Sequence, residues 1–239
     1  MHPSNKALAL ATLLLCSCAP SQLKPTEDAA ALLNYACRPG ETVKSAQGTI
    51  GMKAQSNEAT GQFPASVLAT APDHLRLEAT NLLGGTEAVI TVEGSHYQID
   101  VPSRKDPSHP EMGRMEEGVG TWAGIPLEWA TQLFLGRIPC PPAALSKDTK
   151  LQVDAVGNLI AETPAFSDRG EERFVYHFRT WQGKPWPETL HWERKGSAPI
   201  SVDFKFEDPE DRTDSPRKWE AKSPRGEVKI RWRDRQLTN

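Results

Sequence analysis

The sequence lacks the motifs that mark most enzymes, metal sites and nucleic-acid binders. It has no Gly-x-Ser-x-Gly elbow, no His-Glu-x-x-His pair and no phosphate-binding glycine loop. It has no Cys-x-x-Cys pair, and its histidines are scattered along the chain. Its net charge of −3 excludes the basic excess of a dedicated nucleic-acid binder. We therefore expect a protein that is not an enzyme, with no cofactor, no metal ion and no nucleic-acid partner.

Long apolar runs are also absent outside the N-terminus. There, Lys6 precedes an apolar run from Ala7 to Leu15, which is too short to span a bilayer as a stable helix. This pattern is typical of an export signal, so we expect the rest of the chain outside the cytoplasm. The remaining length of about 220 residues suits one domain with a sizeable core, which we assign to residues 26–239.

The apolar run ends in Leu15-Cys16-Ser17-Cys18, which resembles the signal of a bacterial lipoprotein. In such signals, the cysteine that follows a Leu-x-small triplet is lipidated and becomes the first residue. The resemblance implies a signal peptide over residues 1–17, a lipidated Cys18 and a tether over residues 18–25. Ala19, where an aspartate would signal inner-membrane retention, favours the outer membrane with the domain facing the periplasm. An ordinary secretory signal with incidental cysteines is the alternative.

Two cysteines remain after such processing, Cys37 and Cys140. An even pair in an oxidising compartment favours a structural disulfide, which would close a loop of about 100 residues. A metal or redox pair is the alternative, but no histidine or further cysteine stands at the required spacing.

Alternation of apolar and polar residues dominates the chain after residue 48. Leu75, Leu77 and Ala79 alternate with polar residues, as do Phe174, Tyr176 and Phe178, and the same period appears in residues 48–54, 62–70, 88–92, 97–101, 151–155, 190–193, 200–207 and 228–233. The pattern predicts about eleven strands with one apolar face each, which is typical of an antiparallel sheet. A sheet of this size curls or closes, so we expect a mostly β (α+β) fold with a concave apolar face.

Two short helices and one long loop interrupt the strands. The first helix is predicted to begin at a Thr26 cap and to end before Pro39-Gly40. The second helix is predicted over Pro126 to Leu135, with Leu127, Leu133 and Phe134 on its apolar face. Residues 102–120 contain three prolines and several charges without an apolar period, which predicts a long loop.

Two stretches of the chain resemble the LolA/LolB family of lipoprotein carriers and receptors. One is the strand–turn–strand Asn81-Leu82-Leu83-Gly84-Gly85-Thr86-Glu87-Ala88-Val89-Ile90. The other is Gly124-Ile125-Pro126-Leu127, then a helix, then Leu135-Gly136-Arg137-Ile138-Pro139. The resemblance implies a curved, incomplete antiparallel β-barrel with a helical lid, and a hydrophobic cavity that takes the acyl chains of lipids or lipoproteins.

The resemblance also implies roles for individual residues. Leu82 or Leu83 would be the exposed leucine that contacts the membrane, although both residues would be buried if they close a strand end. The second helix would be the lid, with Leu127, Leu133 and Phe134 on its underside. The walls of the acyl cavity would be Tyr176, Phe178, Trp192, Phe204 and Trp232, and a packed core is the alternative for these side chains.

Two functions follow as hypotheses. The first is an anchored envelope lipoprotein that receives lipids or acylated lipoproteins, with a periplasmic carrier protein as partner, and delivers them to the outer membrane. The alternative is a non-catalytic envelope assembly or sensor lipoprotein that reuses the fold for protein interaction. An apolar void beneath the second helix would favour the first hypothesis, and a filled interior would favour the alternative.

The C-terminal segment from Arg212 to Arg235 is rich in positive charge, with nine basic and four acidic residues. Contact with anionic lipid headgroups or an acidic partner is one interpretation. The polar face of an edge strand, where charge discourages unwanted pairing, is the other.

The lipoprotein signal gives a direct prediction. Cys18→Ser is expected to release the protein from membranes into the soluble envelope fraction, because the lipidated residue is lost. Cys16→Ser is the matched control and is expected to remain in the membrane fraction. Fractionation followed by immunoblotting measures both variants, and membrane retention of the Cys18→Ser protein would contradict the assignment.

Overall fold

One large antiparallel sheet accounts for most of the structure. The computed structural model describes residues 28–57, 59–102, 111–114, 120–122, 125–141, 149–164, 170–196, 199–209 and 214–239. The predicted signal, Cys18, the tether and Thr26 lie outside these residues. The first half contains α1 (Ala29–Cys37), β1 (Ser45–Ser56), β2 (Thr60–Thr70), β3 (His74–Thr80), β4 (Thr86–Glu93), β5 (His96–Asp100) and β6 (Glu111–Arg114). The short strands β7 (Thr121–Trp122) and β8 (Ile125–Pro126) then lead into α2 (Leu127–Phe134). The second half contains β9 (Lys150–Val153), β10 (Leu159–Glu162), β11 (Glu172–Trp181), β12 (Lys184–Arg194), β13 (Ile200–Phe206), β14 (Lys218–Ser223) and β15 (Gly226–Thr238).

The sheet consists of two meanders joined through the first and last strands. Its order is β6-β5-β4-β3-β2-β1-β15-β14-β13-β12-β11-β10-β9, and β1 pairs with β15 from Ser45↔Thr238 to Ser56↔Gly226. The edge strands β6 and β9 do not pair with each other within the described residues, so the sheet is not closed. The mostly β, antiparallel prediction is therefore confirmed, but the sheet has thirteen strands where about eleven were expected.

Three strands were missed because their apolar pattern is short or absent. Within the predicted loop over residues 102–120, Glu111–Arg114 forms the edge strand β6 and pairs with β5. None of its side chains is buried, so no apolar period marks it. The strands β10 and β14 bury only two residues each, too few to stand out as alternation in the sequence.

The two helices lie on the apolar face of the sheet. The N-cap of α1 is Asp28 and not Thr26, because the Asp28 carboxylate accepts a hydrogen bond of 3.0 Å from Ala31 N. Leu32 and Leu33 are buried on this helix. The N-cap of α2 is Pro126, whose fixed φ suits a helix start. Neither helix in the described part of the chain is long and apolar enough to cross a membrane.

The apolar face, called the inner face below, differs between the two meanders. On β1 to β5 it is mainly aliphatic, with buried residues such as Ile50, Val67 and Leu77. On β11 to β15 it is aromatic: the buried rings there are Phe174, Tyr176, Phe178, Trp186, Trp192, Phe204, Phe206, Trp219 and Trp232. Both meanders place their polar side chains on the opposite face, called the outer face.

The segment after α2 is fastened to the segment after α1. Cys37 and Cys140 form a disulfide with a Cα–Cα distance of 5.8 Å, closing a loop between residues 103 positions apart. Loops of this length give a disulfide an entropic stabilisation of about 2–5 kcal/mol. Tyr176 donates a hydrogen bond of 2.8 Å to the Pro139 carbonyl, and burial raises the pKa of its phenol well above the usual range. These contacts fix the end of α2 against the sheet.

Candidate functional site

Helix α2 covers the centre of the inner face. Its buried side includes Leu127, Leu133 and Phe134, the residues predicted for the underside of a lid. The Phe134 ring makes edge contacts with Trp219 and Trp232, with ring centroids 5.6 and 6.2 Å apart. Such aromatic contacts add about 0.5–1.5 kcal/mol each beyond the burial of apolar area. The helix is therefore packed against the aromatic meander.

The five predicted wall residues all lie on the inner face and are all buried. Their exposed fractions are 6% or less: Tyr176, Phe178, Trp192, Phe204 and Trp232. Trp192 and Trp232 contact α2, whereas Phe204 stacks on Phe206. Beneath α2 these side chains fill the space, so the structure holds the inner face in a packed state.

Three tryptophans near this contact were not among the residues predicted for the site. Trp129 lies on α2 and makes edge contacts with Phe174 and Trp192, at 6.1 and 5.8 Å between ring centroids. Trp219 on β14 makes an edge contact with Phe134, at the other end of α2 from Trp129 in the sequence. Trp122 on β7 is also buried. Trp219 is flanked by the polar residues Lys218 and Glu220, which is the alternation of a strand. Because β14 has only six residues, this alternation is too short to be distinctive in the sequence.

A buried ion pair fastens the first turn of α2. Both carboxylate oxygens of Glu128 accept hydrogen bonds from one Arg194 nitrogen, at 3.0 and 2.9 Å. Glu172 lies 3.9 Å from the same nitrogen and directly opposite Arg194 in the β11–β12 register. The side chains of Arg194, Glu128 and Glu172 are only 4%, 10% and 11% exposed. Arg194 and Glu172 occupy positions in β12 and β11 that alternate in step with the buried aromatics. A charged residue at such an inward-facing position indicates a buried ion pair, and this indication was not used in the sequence prediction.

The β3–β4 turn presents Leu82 and Leu83 to solvent, with 88% and 96% of each residue exposed. The Asn81 side chain accepts hydrogen bonds from Leu83 N and Gly85 N, both at 2.9 Å. Gly84 has a φ of +85°, which a side chain would disfavour. Because backbone contacts to Asn81 and the glycines close the turn, the exposed side chains of the two leucines are available to contact a partner.

A hollow of about 270 Å³ opens on the aliphatic part of the inner face. Met52, Phe63, Ala79, Ala88 and Trp122 contribute to its lining. It lies beside β7, which pairs with β8 directly before α2. Space on the inner face is therefore found beside the helical cover, whereas the area beneath α2 is filled. No group of histidines, cysteines and carboxylates within the described ranges is arranged to hold a metal ion.

The Arg194 ion pair gives a stability prediction. Arg194→Met is expected to lower the free energy of unfolding by about 3–5 kcal/mol, because it leaves two carboxylates buried without their cation. Arg173→Met is the matched control, since Arg173 pairs with Glu162 and Glu193 where all three side chains are about one-third exposed. That control is expected to lose about 1 kcal/mol or less. Urea denaturation measures both, and similar losses would contradict the assigned role of Arg194.

Comparison with known proteins identifies the fold. No protein-family model matches the sequence, and a search of curated proteins finds no match. Among solved structures, a LolA superfamily protein from Nitrosomonas europaea matches with a TM-score of 0.50 at 11% identity, covering 90% of this chain and 95% of its own. A putative outer membrane lipoprotein-sorting protein domain from Vibrio parahaemolyticus matches with a TM-score of 0.51 at 7% identity, covering 88% and 91%.

A third solved structure matches over a similar length. It is a DUF1329 family protein from Desulfovibrio piger, with a TM-score of 0.55 at 8% identity and coverage of 89% and 94%. At these identities the likeness extends to the fold, and it spans almost the whole chain. The resemblance inferred from residues 81–90 and 124–139 is thereby confirmed for the fold: this chain has a LolA-like fold.

Proposed function

We propose that this protein is an envelope lipoprotein that binds the acyl chains of lipids or lipoproteins on its inner face and delivers them to the outer membrane. One observation carries the proposal: the aromatic inner face of an unclosed sheet is covered by a separate helix of eight residues. Because α2 pairs with no strand of the thirteen-stranded sheet, its movement would break no strand pair of that sheet. Two solved structures of the same fold, from Nitrosomonas europaea and Vibrio parahaemolyticus, are a LolA superfamily protein and a lipoprotein-sorting domain, which supports the proposal.

Acyl binding requires α2 to move, because its underside is packed. Exposing three large side chains such as Leu127, Leu133 and Phe134 costs about 5–9 kcal/mol, at about 1.5–3 kcal/mol each. An acyl chain recovers about 0.8 kcal/mol for each buried methylene, so about six to eleven methylenes offset this cost. For a long acyl chain, the free energy gained by burying the chain therefore offsets the cost of moving α2. For a short chain it does not.

Unpaired polar atoms around α2 also support a ligand. The indole nitrogens of Trp129, Trp192, Trp219 and Trp232 are buried and have no hydrogen-bond acceptor within the described part of the chain. The Thr131 hydroxyl on α2 is in the same situation. Buried donors without partners are rare and costly. The ester and amide oxygens at the head of an acyl chain are acceptors that these donors would bind once α2 has moved.

The remaining parts of the proposal follow the same reasoning. A lipid on Cys18 would anchor the protein in the outer membrane, with the domain in the periplasm. A periplasmic carrier protein would hand over the lipoprotein. The chain would act without catalysis, by exchanging the contacts of α2 for those of the acyl chain.

The filled space beneath α2 favours a second candidate. In this case the protein is a non-catalytic assembly or sensor lipoprotein, and its packed inner face serves only as a core. The exposed tip formed by Leu82 and Leu83 would then contact a protein. Acyl binding separates the two candidates, because a permanently packed inner face has no room for an acyl chain.

Titration with a fluorescent acylated peptide tests the proposed function. Wild-type protein is expected to bind the peptide, and Ala88→Phe is expected to bind it about tenfold more weakly, because a ring in the hollow beside Trp122 displaces about two methylenes. Val89→Phe is the matched control, since it adds the same ring one residue away, where the alternation of β4 directs it to the outer face. Circular dichroism confirms folding. Wild-type protein that does not bind the peptide would refute acyl binding and leave the second candidate.

The exposed leucines give a separate prediction about delivery. Leu82→Glu with Leu83→Glu is expected to keep acyl-peptide binding and to slow transfer of the peptide to liposomes, because inserting charge into a bilayer is costly. Met112→Glu with Val156→Glu is the matched control, since these residues are also exposed, at 70% and 77%, and lie on other turns and edges. Equal transfer by both double variants would show that the tip has no part in delivery.

A further inference from the structure

A basic groove of about 280 Å³ lies on the outer face next to the leucine tip. Its floor includes Gly51 and Pro64, which face each other across the β1–β2 pair. Five basic residues line it, and no acidic residue of the described chain does: Lys53, Lys218, Lys229, Arg231 and Arg233. The chain as a whole has a net charge of −3, so this concentration of positive charge is local.

Two of the five cations are already engaged by carboxylates. Lys218 contacts Glu207 and Glu220, and Lys229 contacts Glu220 and Glu227 at 2.9 and 3.0 Å. Hydrogen bonding to Glu220, followed by that to Glu227, raises the pKa of the Lys229 ammonium. These two lysines therefore line the groove, but their positive charges are largely compensated by the neighbouring glutamates.

The other three cations, Lys53, Arg231 and Arg233, form no ion pair within the part of the chain that the structure describes, and all three are exposed. Arg233 lies over Gly51, because a Cβ built at this position would be in van der Waals contact with Arg233 Nε, at 3.5 Å. The Arg233 guanidinium thus extends across β1 over the floor of the groove. Uncompensated, closely spaced cations around a hollow are complementary to phosphate groups.

The groove and the leucine tip form one continuous surface. Leu82 lines the groove and is also 88% exposed at the tip. Thr80, which directly precedes the tip, donates a hydrogen bond of 3.3 Å to the carbonyl of Pro64 on the groove floor. A surface that receives Leu82 therefore lies next to the groove that Lys53, Arg231 and Arg233 line.

We infer that this groove docks the protein on the phosphate headgroups of an anionic bilayer while Leu82 and Leu83 enter the apolar layer. The inference rests on the proposed function only in taking the tip as the membrane contact. Charge beside an inserted apolar group strengthens binding to anionic lipids and makes it dependent on salt. The groove would thus direct the tip towards bilayers rich in anionic lipid, such as phosphatidylglycerol.

Vesicle flotation tests this inference, using the full chain with Cys18→Ser so that no N-terminal lipid contributes. Vesicles of phosphatidylethanolamine with phosphatidylglycerol are compared with vesicles in which phosphatidylcholine replaces the phosphatidylglycerol. The protein is expected to prefer the anionic vesicles, and the preference is expected to fade at high salt. Replacing Lys53, Arg231 and Arg233 with Gln is expected to weaken binding about fivefold per residue, and so on the order of 100-fold.

A second triple variant controls for net charge. Lys184→Gln, Lys205→Gln and Lys222→Gln remove the same charge from exposed positions outside the groove. This variant is expected to keep most of the binding, and an equal loss in the two triple variants would overturn the inference. Equal binding to both kinds of vesicle would also overturn it. Displacement by inorganic phosphate, at an ionic strength matched with chloride, would assign the groove to free phosphate and overturn bilayer docking.

Acyl-peptide titration of the same proteins keeps this inference separate from the proposed function. The Lys53, Arg231 and Arg233 variant is expected to bind the acylated peptide as wild type does, because these residues lie on the outer face. If wild-type protein prefers anionic vesicles but does not bind the acylated peptide, only the proposed function is refuted. If wild-type protein binds the acylated peptide but shows no preference for anionic vesicles, only the inferred docking role of the groove is refuted.

Discussion

A sheet with one apolar face that does not close on itself must have that face covered, and the rest of the structure follows from this constraint. Most of the thirteen strands place their apolar side chains on the inner face by alternation, yet β6 and β9 do not pair with each other within the described residues. Exposing such a face to water would cost far more than the net stability of a domain. The helices α1 and α2 therefore lie across it, and the Cys37–Cys140 disulfide joins the last residue of α1 to the segment that follows α2.

The attachments of α2 are of two kinds, and they differ in how they respond to a ligand. The apolar contacts of Leu133 and Phe134 are non-directional, so in the proposed function an acyl chain would replace them at similar free energy. The Arg194–Glu128 pair is directional and buried, and it fixes the first turn of α2 in one defined position. Buried ion pairs add little net stability compared with apolar packing, but they penalise misplacement strongly. In the proposed function α2 would need both kinds of contact. An acyl chain could replace the apolar contacts, and the ion pair would define the closed position of the helix.

The same alternation that builds the inner face creates a second, chemically opposite surface. Every residue directed away from the core faces solvent, and on β1 and β15 this places Lys53, Arg231 and Arg233 around Gly51. The leucine tip lies where the two surfaces meet, with the hollow beside Trp122 on one side of the sheet and the basic groove on the other. The proposed acyl binding and the inferred bilayer docking thus use opposite faces of one sheet, so separate substitutions would test each of them.

Local patterns in the sequence determined the antiparallel sheet, the inward aromatics and the second helix, because alternation and helical periodicity depend only on neighbouring residues. They also determined the Asn81–Gly85 turn, whose hydrogen bonds are local. Local patterns left β6 unmarked, because an exposed edge strand has no apolar period. Only the tertiary structure decided that the inner face is packed beneath α2, that Glu128 meets Arg194 across 66 residues, and that Lys53 joins Arg231 and Arg233. These outcomes depend on strand order and on the pairing of β1 with β15, which bring together residues far apart in the chain and leave no trace in the spacing of neighbours.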